Sequence, residues 1–306
     1  MKVLITGTTG CVGHYVLEAL AQQPDIEVLA YYKHREKIFL PLDRYSNVTL
    51  VQGDLYRLAE ARSWIEQADV LVHLAAGWSG TAAFEINVDF TLELFRMAAA
   101  GRCQKVIYVS TASILNSDNR PLKEAGKTGS DYIRSKFEMY RRLHESPLYE
   151  RTVTLFPTAV FSGGPQHPYA HLSAGIRTGR RWLRWLRFFS LDASFHYIHA
   201  YDLAAVIRVL LTKPLEQYQE YVIGQTAMTA GQALRQMAVA WGFTTPFQIR
   251  LPTELLVRLI LWRTKSLMPW DRFCLQYRHF RHRMTRPEDL GVVSRYPTLG
   301  DCVKDL

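Results

Sequence analysis

The first stretch constrains this chain most. Val3, Leu4 and Ile5 run directly into Gly7, Gly10 and Gly13. Three consecutive large apolar residues predict a short buried strand, and Val12, Val16, Leu17 and Leu20 then recur at helical spacing. A strand that turns through glycines into a helix presents unpaired N–H groups and a positive dipole end, which suits a phosphate. Thr9, Cys11 and Val12 fill the turn between the glycines. The spacing is G-x-x-G-x-x-G rather than G-x-G-x-x-G. Taken alone it fits a dinucleotide site or a glycine turn in another α/β protein.

The alternation that follows decides for a parallel sheet. Residues 26–31, 48–51, 70–74, 105–109 and 152–156 read as strands two to six. Helical patterns at 12–22, 58–67, 84–100 and 131–144 lie between them. The expected fold is α/β, a doubly wound parallel Rossmann sheet with a smaller, mainly helical C-terminal substrate-binding region. The expected division is 1–157 for dinucleotide binding and 158–306 for substrate, with segments around 195–225 returning to the sheet. Beyond Pro157 the pattern loosens, and the last fifty residues suggest helices separated by Pro269 and Pro287.

Bulk properties narrow the class. The 306 residues are 48% hydrophobic, enough for a sizeable core. A net charge of +9 suits a phosphorylated dinucleotide, an acidic substrate or an anionic membrane surface. Nucleic-acid binding is not expected. Cys11, Cys103, Cys274 and Cys302 form no C-x-x-C pair, so reduced thiols in a cytoplasmic setting are expected, and neither a disulfide framework nor a metal site. The apolar start ends in glycines rather than a cleavage region, so no secretion signal is expected. No uninterrupted span of about 18 apolar residues occurs.

Four further groups carry chemistry. Asp54, with Leu55 beside it, follows the third strand, where a carboxylate accepts from an adenine amino group or simply caps a turn. Leu74, Ala75, Ala76 and Gly77 are small or apolar residues that let a cofactor approach the backbone, or merely pack. Tyr132 and Lys136 share one helix face, and an ammonium beside a phenol is expected to lower the phenol pKa from about 10 towards neutrality. Ser110, Thr111 and Ser113 end the fifth strand, where a hydroxyl orients a substrate oxygen or caps a helix.

Order and spacing together resemble the extended short-chain dehydrogenase/reductase superfamily, in its NAD-dependent epimerase/dehydratase-like branch. The residues that carry the resemblance run from Thr6-Gly-Thr-Thr-Gly-Cys-Val-Gly13 through Gly53-Asp-Leu55, His73-Leu-Ala-Ala76, Ile86-Asn-Val88, Val109-Ser-Thr111 and Tyr132-Ile-Arg-Ser-Lys136 to Phe156-Pro-Thr-Ala-Val160 and Tyr197-Ile-His-Ala-Tyr-Asp-Leu203. The resemblance implies Tyr132 as general acid/base, Lys136 as its tuner and nicotinamide-ribose ligand, and Thr111 as the substrate-orienting hydroxyl. It implies a supporting role for Asn87 and places Pro157 beside the nicotinamide carboxamide. The second strand ends without an acid, and Lys33 and Arg35 follow, which implies NADP rather than NAD. A homodimer is a family expectation.

Departures from the family pattern bear on the substrate. Ala112 and Ser113 stand where dehydratases carry an acidic pair after the Thr, and Phe156 and Phe195 stand where sugar-nucleotide enzymes often carry Arg. This favours an apolar small molecule. The expected activity is therefore an NADP-dependent oxidoreductase interconverting a carbonyl and a secondary alcohol. A sugar-nucleotide epimerase with tightly held NAD(P), or a non-catalytic NADP-binding membrane-associated assembly factor, is the alternative. His199 and Asp202 are expected to be structural, with Asp202 capping a helix. Residues 177–189, 251–270 and 273–286 mix Arg with aromatic or apolar residues. Such stretches suit peripheral membrane contact, a substrate pocket, a partner face, or a solvated helix with its aromatic residues in the core and its Arg snorkelling outward.

Overall fold

The structure, a computed structural model, describes residues 1–304 and 306. Seven parallel strands form its centre: β1 (Lys2–Thr6), β2 (Glu27–Tyr32), β3 (Val48–Gln52), β4 (Val70–His73), β5 (Lys105–Val109), β6 (Thr152–Pro157) and a seventh, Gln219–Ile223. Across the sheet they run seventh, β6, β5, β4, β1, β2, β3. The order reverses between β1 and β4, so a crevice opens at their carboxyl ends.

Alternation along each strand assigns its side chains to two layers. Val3 and Ile5 of β1 pack with Leu17 and Leu20 of α1 (Cys11–Ala21) and with Leu203 and Ile207 of the helix Ala200–Thr212. Leu4 points the other way, into a cluster with Phe95 and Met139 from the helices Phe90–Ala100 and Asp131–Arg142. All three β1 residues are buried. Full burial of such a side chain contributes about 1.5–3 kcal/mol. A strand apolar on both faces suits the middle of a sheet covered on both sides.

The later chain completes this half. Lys105, in β5, is buried, and its ammonium donates to the carbonyls of Leu210 at 3.0 Å and Leu211 at 3.1 Å, and to that of Lys213. Those carbonyls end the helix Ala200–Thr212, where a cation complements the helix dipole.

Local details depart from the sequence pattern. Residues 84–100 are not one helix. A wide π turn, Glu85–Asp89, separates Gly80–Phe84 from Phe90–Ala100. Asn87 lies in that turn and is fully buried. Residues 58–67 divide between a 3-10 segment, Leu55–Ala61, and a short helix, Arg62–Glu66. Within 195–225, Gln219–Ile223 joins the main sheet, while Tyr197–His199 pairs with Ala159–Phe161 in a separate two-stranded ladder. Pro269 opens the helix Pro269–Tyr277 at its first position. Among the described residues no helix is long and apolar enough to cross a membrane.

Candidate active site

The crevice at the switch point is a cleft of about 740 Å³, within the size range of small-molecule and cofactor sites. The glycine turn lines it. Gly7 has φ +77°, and a Cβ there would meet the Ala75 nitrogen at 2.5 Å. At Gly13 a Cβ would meet the Gly7 carbonyl oxygen at 2.0 Å, so helix and turn touch backbone to backbone. The α1 N-cap, Gly10, supplies no side-chain cap to the first turn. Thr9 and the first-turn residues Cys11, Val12 and Gly13, whose N–H groups have no intrahelical partner, line the cleft.

Past this turn lie Lys33, Asp54 and Leu55. Lys33 Nζ sits 2.7 Å from an Asp54 carboxylate oxygen, so the two residues assigned separate roles form one ion pair. The Asp54 carboxylate also accepts from the Tyr56 N–H at 3.2 Å, as a cap does. Partial burial alone would raise its pKa; the Lys33 and Tyr56 contacts more than reverse that and hold it below the ordinary carboxylate range. Arg35 is not part of the lining. It lies in a 3-10 turn, Arg35–Lys37, and its guanidinium donates to the Ile38 carbonyl at 3.2 Å. His34 and Lys37 line the cleft instead. Tyr31 also lines the cleft, and its hydroxyl is buried with no hydrogen-bond partner in the protein.

The cleft is also lined by Thr111, Tyr132 and Lys136, and by Leu74, Ala75, Ala76 and Pro157. Thr111 lines the cleft together with Tyr132, and its side-chain oxygen accepts the Ser113 N–H at 3.3 Å. Ser113 does not line the cleft, whereas Ser110 does. Lys136 Nζ donates to the Val109 carbonyl at 3.0 Å and the Tyr108 hydroxyl at 3.3 Å, and lies over the Tyr108 ring.

This geometry corrects the expected tuning. Lys136 is buried, and burial lowers its pKa to about 7. Burial raises the Tyr132 pKa above that of an ordinary phenol, the neighbouring Cys11 adds to the rise, and only the nearby Thr111 hydroxyl opposes it. Lys136 is turned towards the end of β5, where a carbonyl satisfies its ammonium, so its charge is not spent on the phenol.

The Tyr132 helix is seated by a buried relay. Asn87 accepts the Gly77 N–H and donates to the Gly77 carbonyl, both at 2.9 Å, and donates to the Ser135 hydroxyl at 2.8 Å. Ser135 donates to the Tyr132 carbonyl at 2.9 Å. The supporting role expected of Asn87 therefore has a geometry. It connects the loop after β4 to the backbone of Tyr132.

Sequence reasoning missed Trp78 and His171. The Trp78 ring stacks on Tyr132 at 4.4 Å and 15°, and His171 meets Trp78 edge-on at 4.9 Å. The one available signal was an aromatic residue directly after the small-residue run ending at Gly77. The reading of Asp202 as a cap is corrected. His199 is the N-cap and accepts the Tyr201 N–H at 3.1 Å, while the buried Asp202 accepts the N–H groups of Arg295 and Tyr296 at 2.8 and 3.1 Å. Both residues serve structure. Phe156 is a core residue stacked edge-on against Tyr140, and Phe195 pairs in a small sheet, so neither lines the cleft.

The profile of the NAD dependent epimerase/dehydratase family matches residues 3–224. This chain belongs to that family. The L-arabinose 1-dehydrogenase (NAD(P)(+)) of Haloferax volcanii is 31% identical over 114 residues, 36% of this chain and 41% of that protein. The chain thus matches about two fifths of that curated relative's length. The crystal structure of gox2253 superposes with a TM-score of 0.75 at 19% identity, covering 99% of this chain and 96% of that one. UDP-glucuronic acid 4-epimerase from Bacillus cereus, in complex with UDP-glucuronic acid and NAD, gives 0.70 at 17% identity, covering 100% and 97%. Both structures share the fold.

Proposed function

We propose that this chain is an NADP-dependent oxidoreductase interconverting a carbonyl and a secondary alcohol on an apolar small molecule. The observation that carries this reading is the convergence of the Thr111 hydroxyl, the Tyr132 phenol and the buried Lys136 in a cleft also lined by an uncapped helix N-terminus. The cleft suits a dinucleotide: its glycines leave no room for Cβ atoms, and the unpartnered Tyr31 hydroxyl awaits an acceptor or donor. When bound, the nicotinamide supplies or takes up the hydride. Thr111 orients the substrate oxygen, and Tyr132 passes a proton to it or from it. A phenol with a raised pKa stays protonated at neutral pH, as a donor must. Lys136 holds the ribose side of the cleft.

Lys33 and Lys37 favour a cofactor with an extra phosphate. Such a phosphate would compete with Asp54 for Lys33. The name of the arabinose relative includes both NAD and NADP, which supports nicotinamide chemistry here without deciding between them. The Trp78 ring over Tyr132 favours an apolar substrate. The rival reading, a sugar-nucleotide epimerase, is supported by the name of the Bacillus cereus relative in fold.

Purified protein should consume NADPH with ketones or aldehydes of a broad panel, in proportion to alcohol formed. Epimerisation of a UDP-sugar with no net nicotinamide change would replace this reading. Tight NADPH binding with no turnover of either class would leave the non-catalytic alternative.

A further inference from the structure

Two helices outside the sheet leave most of their side chains in solvent. His171–Leu186 buries Ser173 and Leu183, and Thr253–Arg263 buries Thr253. Short segments beside them join the two. Phe189–Ser190, just past the first helix, pairs with Ile249–Arg250, just before the second. The Asp192 N–H donates to the Thr253 hydroxyl at 2.8 Å. On these adjoining segments Trp182, Trp185, Ile249, Leu255, Leu259 and Trp262 are between 52% and 73% exposed. The aromatic residues of the first helix are thus not in the core. Monomeric soluble surfaces rarely gather so many large apolar side chains without a partner.

The charge beside them identifies the partner. Residues 171–191 contain Arg177, Arg180, Arg181, Arg184 and Arg187 and no Asp or Glu. Arg181 lies 5.5 Å from the centre of the Trp182 ring and Arg184 5.4 Å from that of Trp185. Arginine paired with tryptophan on one helix suits the boundary between phosphate headgroups and acyl chains. A second copy of this chain docked by the same face would oppose one arginine cluster with another.

We propose that this face docks on an anionic phospholipid bilayer, with Arg181 and Arg184 foremost on headgroup phosphates and the tryptophans and leucines in the acyl boundary. His171 and Leu172, which open the first helix, line the cleft. The docking face and the cleft therefore share one helix. The proposal does not depend on the reaction assigned to the site.

Vesicle flotation of the full chain tests it. The protein should rise with vesicles of phosphatidylcholine plus phosphatidylglycerol at low salt, remain below with phosphatidylcholine alone, and be released by added salt. Arg180→Glu/Arg181→Glu/Arg184→Glu, at an unchanged melting temperature, should lower partitioning by at least roughly a hundredfold. Trp182→Ser/Trp185→Ser should also weaken it. Wild-type protein that stays below with the anionic vesicles overturns the proposal. So does a folded triple variant that floats as well as the wild type. A wild-type dimer in solution that the triple variant dissociates would assign the face to a second copy and overturn it equally.

Discussion

The sheet half and the two exposed helices use similar residues to opposite ends. In β1, Val3, Leu4 and Ile5 are buried because helices cover both faces of the sheet. In Thr253–Arg263, leucines and a tryptophan recur just as densely, yet only Thr253 is buried. An apolar pattern specifies burial only where the topology brings up a second layer. Where none arrives, the same pattern marks a surface that must meet something else.

Substitutions in the two regions should therefore separate chemistry from location, and the largest effect belongs to the cleft. Tyr132→Phe should lower kcat by about 10²–10⁴-fold while leaving the NADPH dissociation constant and vesicle flotation unchanged; near-normal turnover would remove Tyr132 from its role. Lys136 comes next. Its pKa is about 7 in the folded chain and about 10.4 when unfolded. Between those values the unfolded chain binds a proton that the folded one lacks, so raising the pH favours the folded state. Relative to Lys136→Met, wild-type stability should climb by about 1.4 kcal/mol per pH unit across that window, read by urea unfolding. A flat difference would mean the ammonium is not buried as described.

Asn87→Ala should cost about 1–3 kcal/mol and lower kcat further than stability explains, because the Tyr132 helix loses its tie to Gly77. An effect on melting alone would make Asn87 a packing residue only. Lys33→Ala should weaken NADPH roughly tenfold with little change for NADH, by fluorescence titration. Equal losses for both would place the phosphate contact elsewhere. Smallest of all, Trp262→Ser should change stability by no more than about 0.5 kcal/mol; a larger loss would mean that this helix packs where it is described as bare.

The legibility of the sequence follows the same division. Val3 to Gly13, and Tyr132 with Lys136, are local patterns, so spacing alone placed them on the right strand, turn and helix face. Asn87 was assigned a supporting role from its motif, although the π turn that buries it has no spacing signature. The pairings across loops stayed hidden. Lys33 with Asp54, Trp78 with Tyr132 and His171, and the Lys136 ammonium on Val109 each join segments whose proximity is set by the sheet order. His199 took the capping place expected of Asp202 because the burial of Asp202 is decided by residues 295 and 296, far along the chain.

The seat of Lys105 has a consequence for how the molecule is made. Its carbonyl partners are more than a hundred positions downstream. At translation speeds of about 5–20 residues per second, they leave the ribosome on the order of five to twenty seconds after the lysine itself. Through that interval the ammonium has no acceptors from the helix that later holds it, and β6, once made, has no neighbour on one edge until Gln219–Ile223 follows. The nascent chain thus passes through a state with one bare sheet edge, one that a holding chaperone is suited to shelter.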